Sequence, residues 1–190
     1  MPVSQILVVA GEPSGDVHGA NLLRELKRMG LDFCAFGIGG DSLRSSGMEL
    51  ISHFGDLSVV GFWEVMRRLP ALRRAMRDLF RAMLSRRPDI VVLIDYPGFN
   101  LRFARLARQR GYKTLYYITP QIWAWGGWRI RTMYRFVDKL VVVLPFEKRF
   151  YENLGLDVSF VGHPILDLVE RRLSRHEFCS RLGLNPGTPI

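Results

Sequence analysis

Apolar residues in this chain gather in short unbroken runs. Ile6-Leu7-Val8-Val9-Ala10, Ile90-Val91-Val92-Leu93-Ile94 and Leu140-Val141-Val142-Val143-Leu144 are continuously apolar and mostly β-branched, the pattern of strands covered on both faces. Shorter runs at 33–38, 114–118 and 158–161 complete the set of strands. Between them the apolar period lengthens to that of a helix. Residues 17–29 read as a helix ended by Gly30, residues 101–109 as one ending near Gly111, and Pro145 opens a helical first turn. Repeated strand–helix units with buried strands predict the α/β class, a Rossmann-like parallel sheet with helices on both faces.

One segment is both apolar and strongly basic. Met66, Leu69, Leu72, Met76, Leu79, Phe80 and Met83 recur at helical spacing, flanked by Arg67, Arg68, Arg73, Arg74, Arg77, Arg81, Arg86 and Arg87. This predicts a basic amphipathic helix, broken or restarted at Pro70. Its later part reads as a core-packing element whose arginines face water. Its beginning, Val59-Val60-Gly61-Phe62-Trp63 followed by Val65 and Met66, is apolar nearly all round. A single buried stripe does not require that. Phe62, Trp63 and Met66 are therefore candidates for contact with an anionic membrane surface, where apolar insertion and charge attraction add.

Composition narrows the class. A chain of 190 residues, 48% hydrophobic and 24% charged, with mean hydropathy +0.05, is a folded globular protein with one well-packed domain. Its apolar runs fall far short of the roughly 20 residues that span a bilayer. Met1 leads directly into a strand, so neither a signal peptide nor a transmembrane helix is expected. Cys34 and Cys179 read as free thiols of a reducing cytoplasm. His18, His53, His163 and His176 are scattered without ligand spacing, so no metal site is expected. The net charge of +9 favours an anionic partner, whether nucleic acid, a phosphorylated ligand or a membrane. The arginines track an apolar stripe and no zinc-finger or RNA-binding signature is present, which weighs against nucleic acid.

The candidate chemistry sits where strands end. Asp95 closes the 90–94 strand immediately before a loop and a helix start. An acid at the carboxyl end of a buried parallel strand either transfers protons or caps the turn, and this segment alone leaves both open. The first strand–helix junction, Ala10-Gly11-Glu12-Pro13-Ser14-Gly15-Asp16-Val17-His18-Gly19, has neither the dinucleotide fingerprint nor the Walker spacing, which argues against an ordinary NAD or ATP site. Glu12 and Asp16 would repel a phosphate and suit sugar hydroxyls. Taken alone, Ser14 and Asp16 read more readily as caps of the following helix. Asn100 reads as the cap of the next helix, and His163, before Pro164, as a structural turn residue. In Thr119-Pro120-Gln121-Ile122-Trp123-Ala124-Trp125, Gln121 is placed to face a cleft, with the tryptophans walling it or buried in the core.

These motifs form an ordered series. Ala-Gly-Glu-Pro-Ser-Gly-Asp from Ala10, Gly-Ile-Gly-Gly from Gly37, Val-Gly-Phe-Trp-Glu-Val from Val60, Ile-Asp-Tyr-Pro-Gly-Phe-Asn from Ile94, Thr-Pro-Gln-Ile-Trp-Ala-Trp from Thr119, Leu-Pro-Phe-Glu from Leu144 and Val-Gly-His-Pro from Val161 together closely resemble the N-terminal half of the lipid-A-disaccharide synthase family. The resemblance implies the N-terminal domain of a GT-B glycosyltransferase. It implies inverting transfer of 2,3-diacylglucosamine from UDP to 2,3-diacylglucosamine 1-phosphate. Asp95 matches the family's essential acid, as base or acceptor-orienting group, and Glu12, Ser14, Gly15, Asp16 and Gln121 become the substrate-binding candidates. No cofactor or metal is implied.

Under the same resemblance, residues 1–171 form a Rossmann-like acceptor domain. Residues 172–190 form a linker and the start of a C-terminal donor domain that is otherwise absent, so the chain alone is expected to be inactive. The implied partners are the diacylated glucosamine phosphate acceptor, the UDP-sugar donor and an anionic membrane surface, without nucleic acid. The implied location is cytoplasmic, at the inner membrane of a Gram-negative bacterium. The chain departs from the family at Gly126-Gly127-Trp128 before Arg129, where basic residues are usual. No phosphate role is therefore given to Arg129 or Arg131. The alternative is a non-catalytic lipid- or sugar-phosphate-binding module.

Overall fold

The computed structural model describes residues 3–56, 62–120, 128–168, 173–185 and 187, with the backbone alone at 62–68, 128 and 168. Seven strands pair in parallel: β1 (Ser4–Ala10), β2 (Phe33–Gly39), β3 (Glu49–His53), β4 (Ile90–Ile94), β5 (Thr114–Tyr117), β6 (Lys139–Val142) and β7 (Val158–Phe160). Their order is β3-β2-β1-β4-β5-β6-β7. From β1 the chain winds outward to β3 and then returns to lay β4 beside β1. The switch point of the sheet therefore lies between the ends of β1 and β4, where open α/β sheets form a ligand crevice.

The continuous apolar runs have their reason in the helices α1 (Pro13–Arg28), α2 (Asp41–Ser45), α3 (Phe62–Arg86), α4 (Pro97–Gln109), α5 (Trp128–Phe136), α6 (Pro145–Glu152) and α7 (Arg175–Arg181). Alternate residues of each central strand enter opposite cores. Leu7, Val9, Val91 and Leu93 pack with Leu79 and Met83 of α3 and Phe103 of α4. Val8, Ala10, Val92 and Ile94 pack with Ala20 and Leu23 of α1 and Leu43 of α2. A polar residue in either set would lose its water with nothing in exchange. The expected Rossmann-like sheet, covered on both faces, is the one observed.

Four elements differ from expectation. α3 runs unbroken through Pro70. Proline inside a helix costs about 3 kcal/mol, which the packed face of α3 offsets: Ala75, Leu79 and Met83 are buried, with Leu72, Met76 and Phe80 half-buried against them. The short pair α2 and β3 was not foreseen. β3 is a partly exposed edge strand whose register with β2 shifts at Gly37/Ile38, so it lacks the continuous apolar run of a central strand. α1 begins at Pro13, four residues before the expected start, with proline in its first turn.

Candidate active site

The turn after β4 is held in an unusual shape. Asp95 and Tyr96 both have left-handed backbones, with φ of 44° and 45°. Such a conformation costs a residue with a Cβ on the order of 1–3 kcal/mol and persists only where its surroundings impose it. The surroundings here are specific. Asn100 Nδ2 donates to the carbonyls of Val9 (3.3 Å), Ile94 (3.0 Å) and Asp95 (2.8 Å), and the Tyr116 hydroxyl donates to the Asp95 carbonyl at 2.6 Å. The Tyr96 ring lies on Gly11, where a Cβ would come within 2.2 Å of a ring carbon. Asn100 is thus not the cap of α4. Tyr96 occupies the N-cap position, and Asn100, fully buried, bonds strand-end carbonyls because the first turn of α4 places its side chain beneath them.

Around this turn the acids are biased toward their protonated forms. Burial pushes the Asp95 carboxyl up, with the Tyr96 amide and His18 pulling more weakly the other way. Burial, then the neighbouring Asp95, pushes Glu12 up as well. His18, in α1, is pulled down by burial and then by His163, with Asp95 opposing. The Tyr96 phenol is raised by burial and then by Glu12. These directions describe one electrostatically coupled cluster at the β1/β4 crevice. A carboxyl raised by desolvation is a better proton acceptor than an exposed one.

The cluster draws in residues that spacing did not connect. His163 follows β7, at the far edge of the sheet, yet its ring meets that of His18 edge-on with centroids 6.3 Å apart. Its Nδ1 accepts from the Ile165 amide at 3.2 Å, as suits a turn residue. Burial, and then Asp167 in the same segment, raises the Tyr117 phenol at the end of β5. Residues 161–168 therefore reach back toward the carboxyl ends of the strands. Tyr96 and His18 lay inside quoted motifs, but their meeting with Glu12 and His163 depends on the strand order.

The candidates in the first junction separate by environment. Glu12 stands at the N-cap position of α1 with no capping bond from its side chain, and Ser14 is exposed. Gly15 is buried, and a Cβ there would touch Ala10 and Ile94 at 3.4 Å, so it seats α1 against both strands. Asp16 is committed elsewhere. It is 3% exposed, and its carboxylate accepts from the amides of Gly40 (2.6 Å), Ser42 (2.9 Å) and Leu43 (3.1 Å). The expectation that Ser14 and Asp16 cap α1 is corrected: Asp16 caps α2, because β2 returns beside β1 and delivers that helix's unpaired amides to α1. Gln121 lies outside the described residues, as do the side chains of Phe62, Trp63 and Met66.

An open apolar groove of about 1210 Å³ adjoins the cluster between α3 and α4. Leu72, Met76, Phe80, Phe99 and Leu106 line it, arginines 73, 77, 102 and 105 edge it, and Tyr96 joins it to the acids. Among the described residues, no group of three or more histidines, cysteines or acids is placed to hold a metal ion, and no helix is long and apolar enough to cross a membrane.

Comparison with known proteins gives consistent results. A family model described as lipid-A-disaccharide synthetase matches residues 6–190. The lipid-A-disaccharide synthase of Geobacter sulfurreducens is 46% identical over 186 residues, covering 98% of this chain and 48% of that protein. The synthase of Coxiella burnetii is 42% identical over 190 residues, all of this chain and 50% of that protein. The chain spans about half the length of the curated relatives it matches. Among solved structures, a putative UDP-N-acetylglucosamine 2-epimerase from Listeria monocytogenes superposes with a TM-score of 0.65 at 12% identity, over 95% of this chain and 51% of that one. A glycosyltransferase from Rickettsia africae gives 0.54 at 16% identity, over 100% and 52%. These two likenesses concern the fold, the Rossmann-like half of GT-B proteins.

Proposed function

The chain belongs to the lipid-A-disaccharide synthetase family, a family of glycosyltransferases, and from that premise we propose that it forms the acceptor-side half of an inverting glycosyltransferase. The reaction is transfer of 2,3-diacylglucosamine from UDP to 2,3-diacylglucosamine 1-phosphate. The acceptor hydroxyl attacks the anomeric carbon, the bond from that carbon to the UDP oxygen breaks, and the hydroxyl proton passes to Asp95. The observation that carries this reading is the half-buried Asp95 carboxyl, raised by desolvation at the β1/β4 switch point. Glu12, Ser14 and the Gly15 amide border the same crevice and contact the acceptor sugar, with Gln121 as a further contact. Asp16 supports them by anchoring α1 to α2.

The acceptor's acyl chains follow the groove between α3 and α4, at about 0.8 kcal/mol for each methylene removed from water. The groove's arginines face the anionic headgroups of a cytoplasmic membrane leaflet. Residues 1–171 constitute the acceptor domain, and residues 172–190 lead toward a donor domain that holds uracil and the diphosphate. Calorimetry on the 190-residue chain tests this division. Diacylglucosamine 1-phosphate in detergent is expected to bind and UDP to give little heat. Tight UDP binding with no response to the acceptor would overturn the assignment. Turnover by the chain alone is expected to be absent, because attack requires donor and acceptor held together in near-attack geometry.

The membrane part has its own measurement. The triple substitution Phe62→Ser, Trp63→Ser and Met66→Ser is expected to weaken sedimentation with anionic liposomes while leaving the thermal midpoint within a few degrees. Unchanged liposome binding, or a large loss of thermal stability, would place these side chains in a different role. A non-catalytic binding module is the second reading. Supplying a purified donor half and assaying UDP release separates the two, since only a split enzyme turns over.

A further inference from the structure

Asp95 would be of little use as a base if its side chain could swing freely about the turn. We propose that Tyr116 and Asn100 are positioning residues, which grip the carbonyl of Asp95 from beneath and so hold its side chain in the crevice. The inference rests on the function proposed above and goes beyond it by assigning roles to two groups that need not touch substrate. Three observations carry it. The Asp95 carbonyl receives two hydrogen bonds, from Tyr116 at 2.6 Å and Asn100 at 2.8 Å. Both donors are fully buried, so neither is loosened by competition with water. The backbone they grip is left-handed at two successive non-glycine residues, a shape the chain would relax from if released.

Chemistry favours these donors. Burial, and then the neighbouring Asp95, hold the Tyr116 phenol well above its ordinary range, so it remains a donor at every working pH. Asn100 spreads its Nδ2 over the ends of both β1 and β4, which ties the acid to the strands flanking the switch point. The Tyr96 ring, seated on Gly11, blocks the other side of the turn. A base displaced by about 1 Å can lose on the order of a hundredfold in rate.

The test uses Tyr116→Phe, which keeps the ring and removes one of the two bonds, in a full-length synthase carrying these residues. The expected result is a ten- to hundredfold fall in kcat, with KM for the acceptor changed less than about threefold and the thermal midpoint little moved. The pH profile supplies a readout that a purely structural role would leave alone. The Asp95 carboxyl is faced by Glu12 just before α1, by His18 of α1, by Tyr96 and by Tyr116 of β5, with Arg129 of α5 acting on Tyr116. Burial is the largest cause of its elevation, so release toward solvent lowers it and moves the acid limb of kcat/KM to lower pH. Asn100→Ser, a shorter donor, is expected to move kcat and the acid limb in the same directions. Wild-type kcat and an unmoved acid limb in folded Tyr116→Phe, alongside an inactive Asp95→Asn, would overturn the positioning role alone. Full turnover by Asp95→Asn would overturn it together with the base assignment.

Discussion

Asp95→Asn, in a full-length synthase carrying these 190 residues, is expected to fold normally and to lose glycosyl transfer by about a hundred- to ten-thousandfold, the usual contribution of a positioned general base. The amide matches the carboxylate in size and keeps an acceptor for the Tyr96 amide, but it cannot take a proton at neutral pH. UDP release at saturating acceptor is the measurement, and near-normal turnover removes Asp95 from the mechanism. Stability moves the other way. The fold raises the Asp95 carboxyl above the value it has in the unfolded chain. Its favourable contribution is therefore fully present below the unfolded value and lost as pH rises through the folded one. At neutral pH the ionised, half-buried carboxylate is a net cost that the amide does not bear. The variant is expected to melt at or above the wild-type temperature at pH 7, and this advantage shrinks as the wild-type carboxyl protonates. A melting temperature well below wild type at pH 7 would show that ionised Asp95 stabilises the fold.

Asp16→Ala is expected to lose about 3–4 kcal/mol of folding stability. Hydrogen bonds to a charged group contribute about 1.5–3 kcal/mol each, and a buried amide left without a partner costs about 1–3 kcal/mol. Three amides depend on this carboxylate, but partial fraying of the five-residue α2 lets some of them reach water, so the losses do not add in full. Asp16→Asn retains one acceptor oxygen and is expected to lose about half as much. Denaturant unfolding of the 190-residue chain reads both variants. Wild-type stability in Asp16→Ala, combined with a loss of acceptor binding, would return Asp16 to ligand contact and make its amide bonds incidental.

The site was partly legible in one dimension. Asp95 stood out because an unbroken apolar run must end somewhere, and in a parallel sheet its carboxyl end opens onto a crevice. The choice between proton transfer and capping was not legible, since both need an acid just after a strand. The structure puts Tyr96, not Asp95, at the start of α4 and desolvates the Asp95 carboxyl, which is what the proposed proton transfer requires. The histidines illustrate the opposite case. His18 and His163 are far apart in sequence and separated by six strands, so no spacing rule could pair them.

By itself, the sequence determined which residues leave water. Runs such as 90–94 can be satisfied only between two layers of helices, and the stripe from Leu72 to Met83 only on a helix lying against a sheet. That was sufficient for the class of fold, the central strands and the address of Asp95. The tertiary structure alone decided partnership. The return of β2 beside β1 brought the amides of α2 to Asp16, and the laying of β4 against β1 put Asn100 under the ends of both strands. Packing carried α3 through Pro70. The physical reason is that burial is a property of a residue and its near neighbours, which periodicity records, whereas a hydrogen bond or an electrostatic coupling belongs to two groups whose meeting depends on every crossover between them.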